Sequence, residues 1–209
     1  GGTGGMGDAT ERAVLRALLW LRDHQNADGS WSTQYDEAMT GLALLAFLAH
    51  GETPDSGQFG LTVQKAIQWL SNYMLSKPAN KFTASGYAHG IATYALCEAY
   101  ALTKLPIVKP AMEKGLNRII RGQQETGGWD YNYAKGERWD LSVSAWQIQA
   151  LKAGYAAGAQ VQGHEEAIAL AVDWLKQVNY KGGTFGYAAP GGGSAGMQGA
   201  GSLALQLLG

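Results

Sequence analysis

The chain has 209 residues, of which 46% are apolar, with 16 Lys plus Arg against 17 Asp plus Glu for a net charge of −1. That is enough apolar sequence for one sizeable core, and the balanced charge excludes the electrostatic footprint of a nucleic-acid or anionic-membrane binder. The single cysteine, Cys97, excludes an internal disulfide framework and leaves the compartment open, and no apolar run reaches the length of a membrane span.

Residues 1–9 are glycine-rich and read as a flexible linker or a cloning remnant of a longer parent protein, so the repeat domain is expected over 10–209. The first helix is predicted over 10–24, where apolar residues recur at i, i+3, i+4 and i+7 and charges take the other face. The segment RALLWLRDHQNADGSW runs this helix into Gln25, Gly29 and Trp31. A second helix, 36–50 (DEAMTGLALLAFLAH), has no clear polar face, which is the pattern of a buried rod.

The alternation then repeats. Amphipathic stretches at 61–76, 107–124 and 164–179 alternate with apolar or small-residue stretches at 88–103, 140–157 and 198–208. Trp20-Leu21, Trp69-Leu70, Ile119-Ile120 and Trp174-Leu175 mark equivalent places about fifty residues apart, the signature of a repeat. No stretch alternates with period two, so essentially no sheet is expected. Wet outer helices paired with buried inner ones predict an all-α, α/α toroid of about four helical hairpins in an inner and an outer layer.

The residues Arg16, Trp20, Leu21, Gln25, Gly29 and Trp31 resemble the QW motif of the squalene and oxidosqualene cyclases. Lys114, Gly115, Ile119, Ile120, Gln124, Gly127 and Trp129 form a second copy of it. A fourth unit keeps Trp174, Leu175, Asn179, Gly183 and Phe185, and the second keeps Trp69-Leu70 with Phe82. The motif has a structural logic. A glutamine at a helix end can serve free carbonyls and N–H groups, a glycine permits the left-handed turn, and the tryptophan covers the junction. Resemblance to this family, with the protein prenyltransferases and the prenyltransferase and squalene oxidase repeats, implies an α/α toroid around a central apolar cavity.

The chemistry of the relatives is not repeated. The Asp-x-Asp-Asp acid of the hopene cyclases is missing, its nearest counterparts being Asp36-Glu37 and a lone Asp140. Prenyltransferases hold zinc with Asp, Cys and His. Here His89 and Cys97 lie eight apart on one predicted helix, about 80° around it and ~12 Å along it, too far to share an ion. The thioester motif Gly-Cys-Gly-Glu-Gln is also missing.

One constellation remains. The pairs Asp36…Thr40, His89…Thr93 and Asp140…Ser144 fall in register on the inner helices, with Ser194 and Gln198 in the fourth unit. In a ring they would meet at one mouth of the cavity. Asp36, His89 and Asp140 are therefore candidate catalytic or metal-binding residues, compatible with a divalent metal but not demanding one. Helix capping is the competing role for the aspartates, and a structural hydrogen bond for His89. Tyr35, Tyr87, Tyr94, Trp139, Ser144 and Trp146 are candidate cavity-lining residues. The glycine-rich stretch 182–199 has the composition of a lid.

The reading that follows is a ligand-binding or scaffold module in a larger bacterial protein. Its partners would be an apolar or carbohydrate-like small molecule and other domains of the parent. Two enzyme readings stand beside it: an isoprenoid cyclase or transferase using Asp36, His89 and Asp140, and a polysaccharide-active α/α-barrel enzyme with the two aspartates as its carboxylate pair.

Overall fold

The computed structural model describes residues 4–77 and 85–208. Eight helices follow in order: α1 (Gly4–Asp23), α2 (Asp36–Ala49), α3 (Gly60–Ser76), α4 (Gly86–Thr103), α5 (Val108–Gly122), α6 (Leu141–Ala157), α7 (His164–Asp173) and α8 (Ala195–Leu208). Helix α7 widens at its end into a π-helical segment, Trp174–Asn179, and a short 3-10 turn covers Tyr131–Tyr133. Among the described residues there is no β-strand, only an isolated bridge between Lys181 and Thr184.

The helices fall where periodicity places them, although α1 already begins at Gly4 and α8 at Ala195. Phe82 lies outside the described residues. Two tiers form because the two sets of helices hide different amounts of surface. On α5 the buried positions Ala111, Met112, Gly115, Leu116 and Ile119 make one stripe, while the opposite side is wet. On α4 nearly every position from Gly86 to Ala99 is buried. Each large apolar side chain so removed from water contributes roughly 1.5–3 kcal/mol.

Helices α2, α4, α6 and α8 pack side by side in that order as an inner row. Behind them α3 backs onto α2 and α4, α5 onto α4 and α6, and α7 onto α6 and α8. This is the layered arrangement of an α/α toroid. The ends of the inner row, α2 and α8, share no comparable interface, so the row is an arc whose two edges face outward. Trp129, Trp174, Phe47 and Phe59 are among the largest side chains wholly buried between the tiers.

The tiers approach closely at Gly115. A Cβ there would stand 2.5 Å from Thr93 Oγ1, so α5 could not lie this near α4 with any side chain at that place.

Candidate functional site

The two tryptophan-ended segments have nearly the same hydrogen bonds. Gln25 Nε2 donates to its own Gly29 O and to Thr62 O of α3, both at 3.0 Å. Gln123 Nε2 donates to Gly127 O and to Ala167 O of α7, both at 2.9 Å. Trp31 Nε1 donates to Leu21 O at 2.9 Å, and Trp129 Nε1 to Ile119 O at 2.8 Å. Each glutamine therefore ties its loop to the next outer helix, and each indole caps the helix it leaves.

The counterpart of Gln25 is thus Gln123, which corrects the expectation of Gln124. Gln124 instead holds the following loop, donating to Arg138 O at 3.1 Å and accepting from Gly136 N at 2.9 Å. The spacing Gln-x-x-x-Gly-x-Trp is the same in 25–31 and 123–129, so the signal was present in the sequence. Gly29 and Gly127 have φ of 99° and 106°. A Cβ on either would strike the next outer helix, 2.5 Å from Lys65 O and 2.3 Å from Leu170 O. Trp20, at the head of the first segment, is 58% exposed on the α1 edge and stacks on His24.

The hydroxylated register on the inner helices belongs to the same device. Thr40 Oγ1 accepts the Trp31 N–H at 3.0 Å, and Ser144 Oγ accepts the Trp129 N–H at 2.9 Å. In the fourth unit Gln198 Oε1 accepts the Phe185 N–H at 2.7 Å. Asn179 is too short to reach a neighbouring helix, and its amide closes on Gly186 instead. The glycine-rich stretch, expected as a lid, is pinned by these bonds and by Gly193 N donating to Phe185 O.

The three candidate catalytic residues are separated by their partners. Asp36 Oδ1 accepts the N–H of Glu37 at the start of α2, where the helix dipole favours an anion. His89 points outward, away from the concave side. Its Nε2 lies 2.9 Å from Gly115 O and is therefore the protonated nitrogen that donates. Burial, and then the charge of Arg118, push its pKa down to about 4. Asp140 caps α6, its Oδ1 accepting from Val143 N at 3.2 Å. The expected convergence at one mouth is not supported: each of the three answers to its own helix or to the tier behind it. Among the described residues no three His, Cys, Asp or Glu side chains are grouped so as to hold a metal ion. Cys97 is wholly buried, and burial pushes its thiol pKa up.

What the structure does bring together is the concave side of the inner row. Counting 100° per residue from outward-facing His89, positions 87, 91, 94 and 98 lie on the opposite side of α4. Counting from Ser144, so do 142, 146, 149 and 153 of α6. Tyr87, Tyr94 and Trp146 are half-buried there, with Tyr94 and Trp146 rings 6.4 Å apart. A small apolar cluster of Ala38, Ala88 and Ile91 packs beside Trp146. The other three lining candidates are elsewhere. Tyr35 is 70% exposed at the α2 edge, Trp139 is buried edge-on against Trp174, and Ser144 is buried under Trp129.

Between α6 and α8 this side opens into a cleft of about 250 Å³. Ala145, Trp146, Met197, Leu203 and Ala204 form its apolar walls, and Tyr87 and Ser142 lie at its polar end. Behind that end is a network the sequence did not suggest. Ser142 Oγ donates to Asp140 Oδ1 at 2.5 Å, and Tyr87 OH is hydrogen-bonded to Ser142 Oγ. Arg138 pairs with Asp130, lies 3.8 Å from Asp140 Oδ2, and covers the Tyr131 ring. Tyr131 OH and Tyr187 OH are 3.1 Å apart, and that hydrogen bond, with burial, pushes the Tyr131 pKa up. Loop closure over residues 130–140 makes this grouping, and no local spacing encodes it.

A second missed group is Glu37, which is buried at the start of α2. Burial first, and its hydrogen bond to Asp36 second, raise its pKa. A larger cavity, about 500 Å³, lies on the outer side of α5, where Lys114, Arg118 and Arg121 face Asn132 and Tyr133 of the 130–140 loop.

The chain is similar to a squalene hopane cyclase of Aspergillus fumigatus (strain CBS 144.89 / FGSC A1163 / CEA10). The two are 27% identical over 187 residues, a match covering 85% of this chain and 24% of the relative. No family model and no solved structure matches it. The relationship is terpenoid-cyclase-like and distant, and the chain spans about a quarter of its relative's length. Within that terpenoid-cyclase-like frame, Asp140 is held by Ser142, Val143 and the neighbouring Arg138, and its Oδ2 has no hydrogen-bond partner. No described helix is long and apolar enough to cross a membrane.

Proposed function

We propose that this chain is a terpenoid-cyclase-like repeat module that binds an apolar small molecule on the concave side of its inner helices. The cleft between α6 and α8 carries the proposal. It is walled by Trp146, Met197 and Leu203, and it opens where a toroid has its lumen. Concave, mostly apolar sites with a few placed polar groups are the usual form of a small-molecule site. The two enzyme readings draw less support, because one needs Asp36, His89 and Asp140 to act together and the other needs the two aspartates to act as a pair, whereas each of these residues is bonded within its own helix or to the tier behind it. A scaffold role in a larger protein is compatible with ligand binding. Met39 and Leu42 on the α2 edge are at least 40% exposed, and they offer apolar surface to further repeats or domains of a longer protein.

The test is a titration with a compact apolar probe such as adamantane, followed by Trp fluorescence and by thermal stabilisation. Saturable binding that Trp146→Ala weakens about tenfold or more is expected. Binding that Trp146→Ala leaves intact, or that Met39→Ser on the α2 edge weakens instead, would remove the cleft from the proposal.

A further inference from the structure

The polar end of the cleft has a hydrogen-bond polarity that follows from counting hydrogens. Asp140 Oδ1 already accepts the Val143 N–H and has no hydrogen of its own to give, so it accepts from Ser142 as well. Ser142 has one, and it goes to Asp140 Oδ1 at 2.5 Å. The hydrogen between Tyr87 OH and Ser142 Oγ must therefore come from Tyr87, which has no other. Two hydroxyl groups that are ordinarily donors as well as acceptors thus turn their hydrogens inward, and toward the cleft they present oxygen lone pairs, those of Tyr87 being shared with the neighbouring Tyr131 hydroxyl. The direction is fixed from the buried end, because Asp140 is wholly buried and its Oδ1 is further held by Val143 N–H. Gln149, two turns along α6, turns its amide nitrogen to Ala145 O and lies at the other end of the cleft.

We infer that the cleft selects an apolar alcohol, whose hydroxyl donates to the Tyr87 and Ser142 oxygens while its hydrocarbon body lies against Trp146 and Met197. A ketone of the same shape can only accept, and would set lone pair against lone pair. The inference rests on the ligand-binding reading above and sharpens it to a ligand class. Discrimination arises because a polar group buried without a partner costs more than a made hydrogen bond returns.

The experiment compares 2-adamantanol, 2-adamantanone and adamantane on the intact chain, by calorimetry or Trp fluorescence. The alcohol is expected to bind about tenfold tighter than the ketone, a difference of about 1.4 kcal/mol. Tyr87→Phe removes most of the alcohol's advantage over the hydrocarbon. Ser142→Ala deletes the acceptor of the Tyr87 hydrogen, which is then free to donate into the cleft, so the ketone gains on the alcohol. A role in folding alone would move all three ligands together and leave their ratios unchanged. Circular dichroism of each variant checks that it folds. Equal binding of the three probes to the parent chain, or an alcohol-to-ketone ratio unmoved by Ser142→Ala, overturns the inference and leaves the apolar cleft standing. Failure of every probe to bind overturns both.

Discussion

The inner helices have two faces with opposite uses, and both contain polar residues. On the face toward the outer tier, Thr40, His89, Ser144 and Gln147 are buried, and their side chains bond to backbone of a loop or a neighbouring helix. On the concave face, Tyr87, Ser142, Trp146 and Gln149 stay partly exposed around a cleft. A polar side chain on a nearly all-buried helix therefore says little about chemistry until its face is known. His89 and Tyr87 are two residues apart and do unrelated things.

The strongest way to break this contrast is to truncate one tryptophan from each face. Trp129→Ala empties a wholly buried site and strands the carbonyl its indole serves, so it should cost about 3–5 kcal/mol in denaturant unfolding. Trp146→Ala should cost less, roughly 1–2 kcal/mol, yet weaken probe binding about tenfold or more, because its side chain is only partly buried. Equal losses of stability would mean that the concave face is core as well.

Protonation of His89 is the next largest effect. Its folded pKa of about 4 lies below the ordinary value of 6.5, so the unfolded chain takes up the proton first. The stability it contributes is complete above pH 6.5 and drains away as pH falls toward 4, by about 3 kcal/mol in all. His164, lowered chiefly by burial, acts in the same sense, whereas His50, raised by Glu11 and Glu52, acts in the opposite one. Unfolding free energies from pH 7 to pH 4 that do not fall would contradict the buried, neutral imidazole.

Gln123→Ala should cost about 1–3 kcal/mol, since it leaves buried carbonyls of two segments unserved. Its partner test is Tyr35→Ala on the exposed α2 edge, expected to stay within about 0.5 kcal/mol. Glu37 gives the smallest and most diagnostic shift. A raised folded pKa means its contribution is favourable at low pH and is lost as pH rises through that pKa. Glu37→Gln should therefore raise the melting temperature at pH 7 and lose that advantage below pH 4.5. An advantage that persists in acid would point to packing instead of ionisation.

Much of this architecture was legible in residue order because it depends on local periods. A 3.6-residue apolar stripe marks α5, and its absence marks α4, which is enough to assign the tiers. The recurring Gln, Gly and Trp show where the chain turns, since a glycine with φ near 100° and an indole over a helix end are local needs. Gln124 fits the motif by residue type and Gln123 by its spacing to Gly127 and Trp129, and the hydrogen bonds follow the spacing. The capping role of Asp140 was also readable, because a carboxylate just ahead of a helix meets free N–H groups.

Which groups share a site was decided only by tertiary packing. Residue spacing placed Asp36, His89 and Asp140 in one register, but a register on a helix fixes height along the axis and not the side that faces the lumen. The alignment of α4 on α5, set by Gly115 lying against Thr93, turned His89 toward the outer tier. The packing of α4 on α6 then brought Tyr87 up to Ser142, whose own hydrogen is taken by Asp140, and so set the direction of both hydrogens. Hydrogen-bond direction belongs to a network of atoms distant in the chain, and a one-dimensional pattern does not carry it.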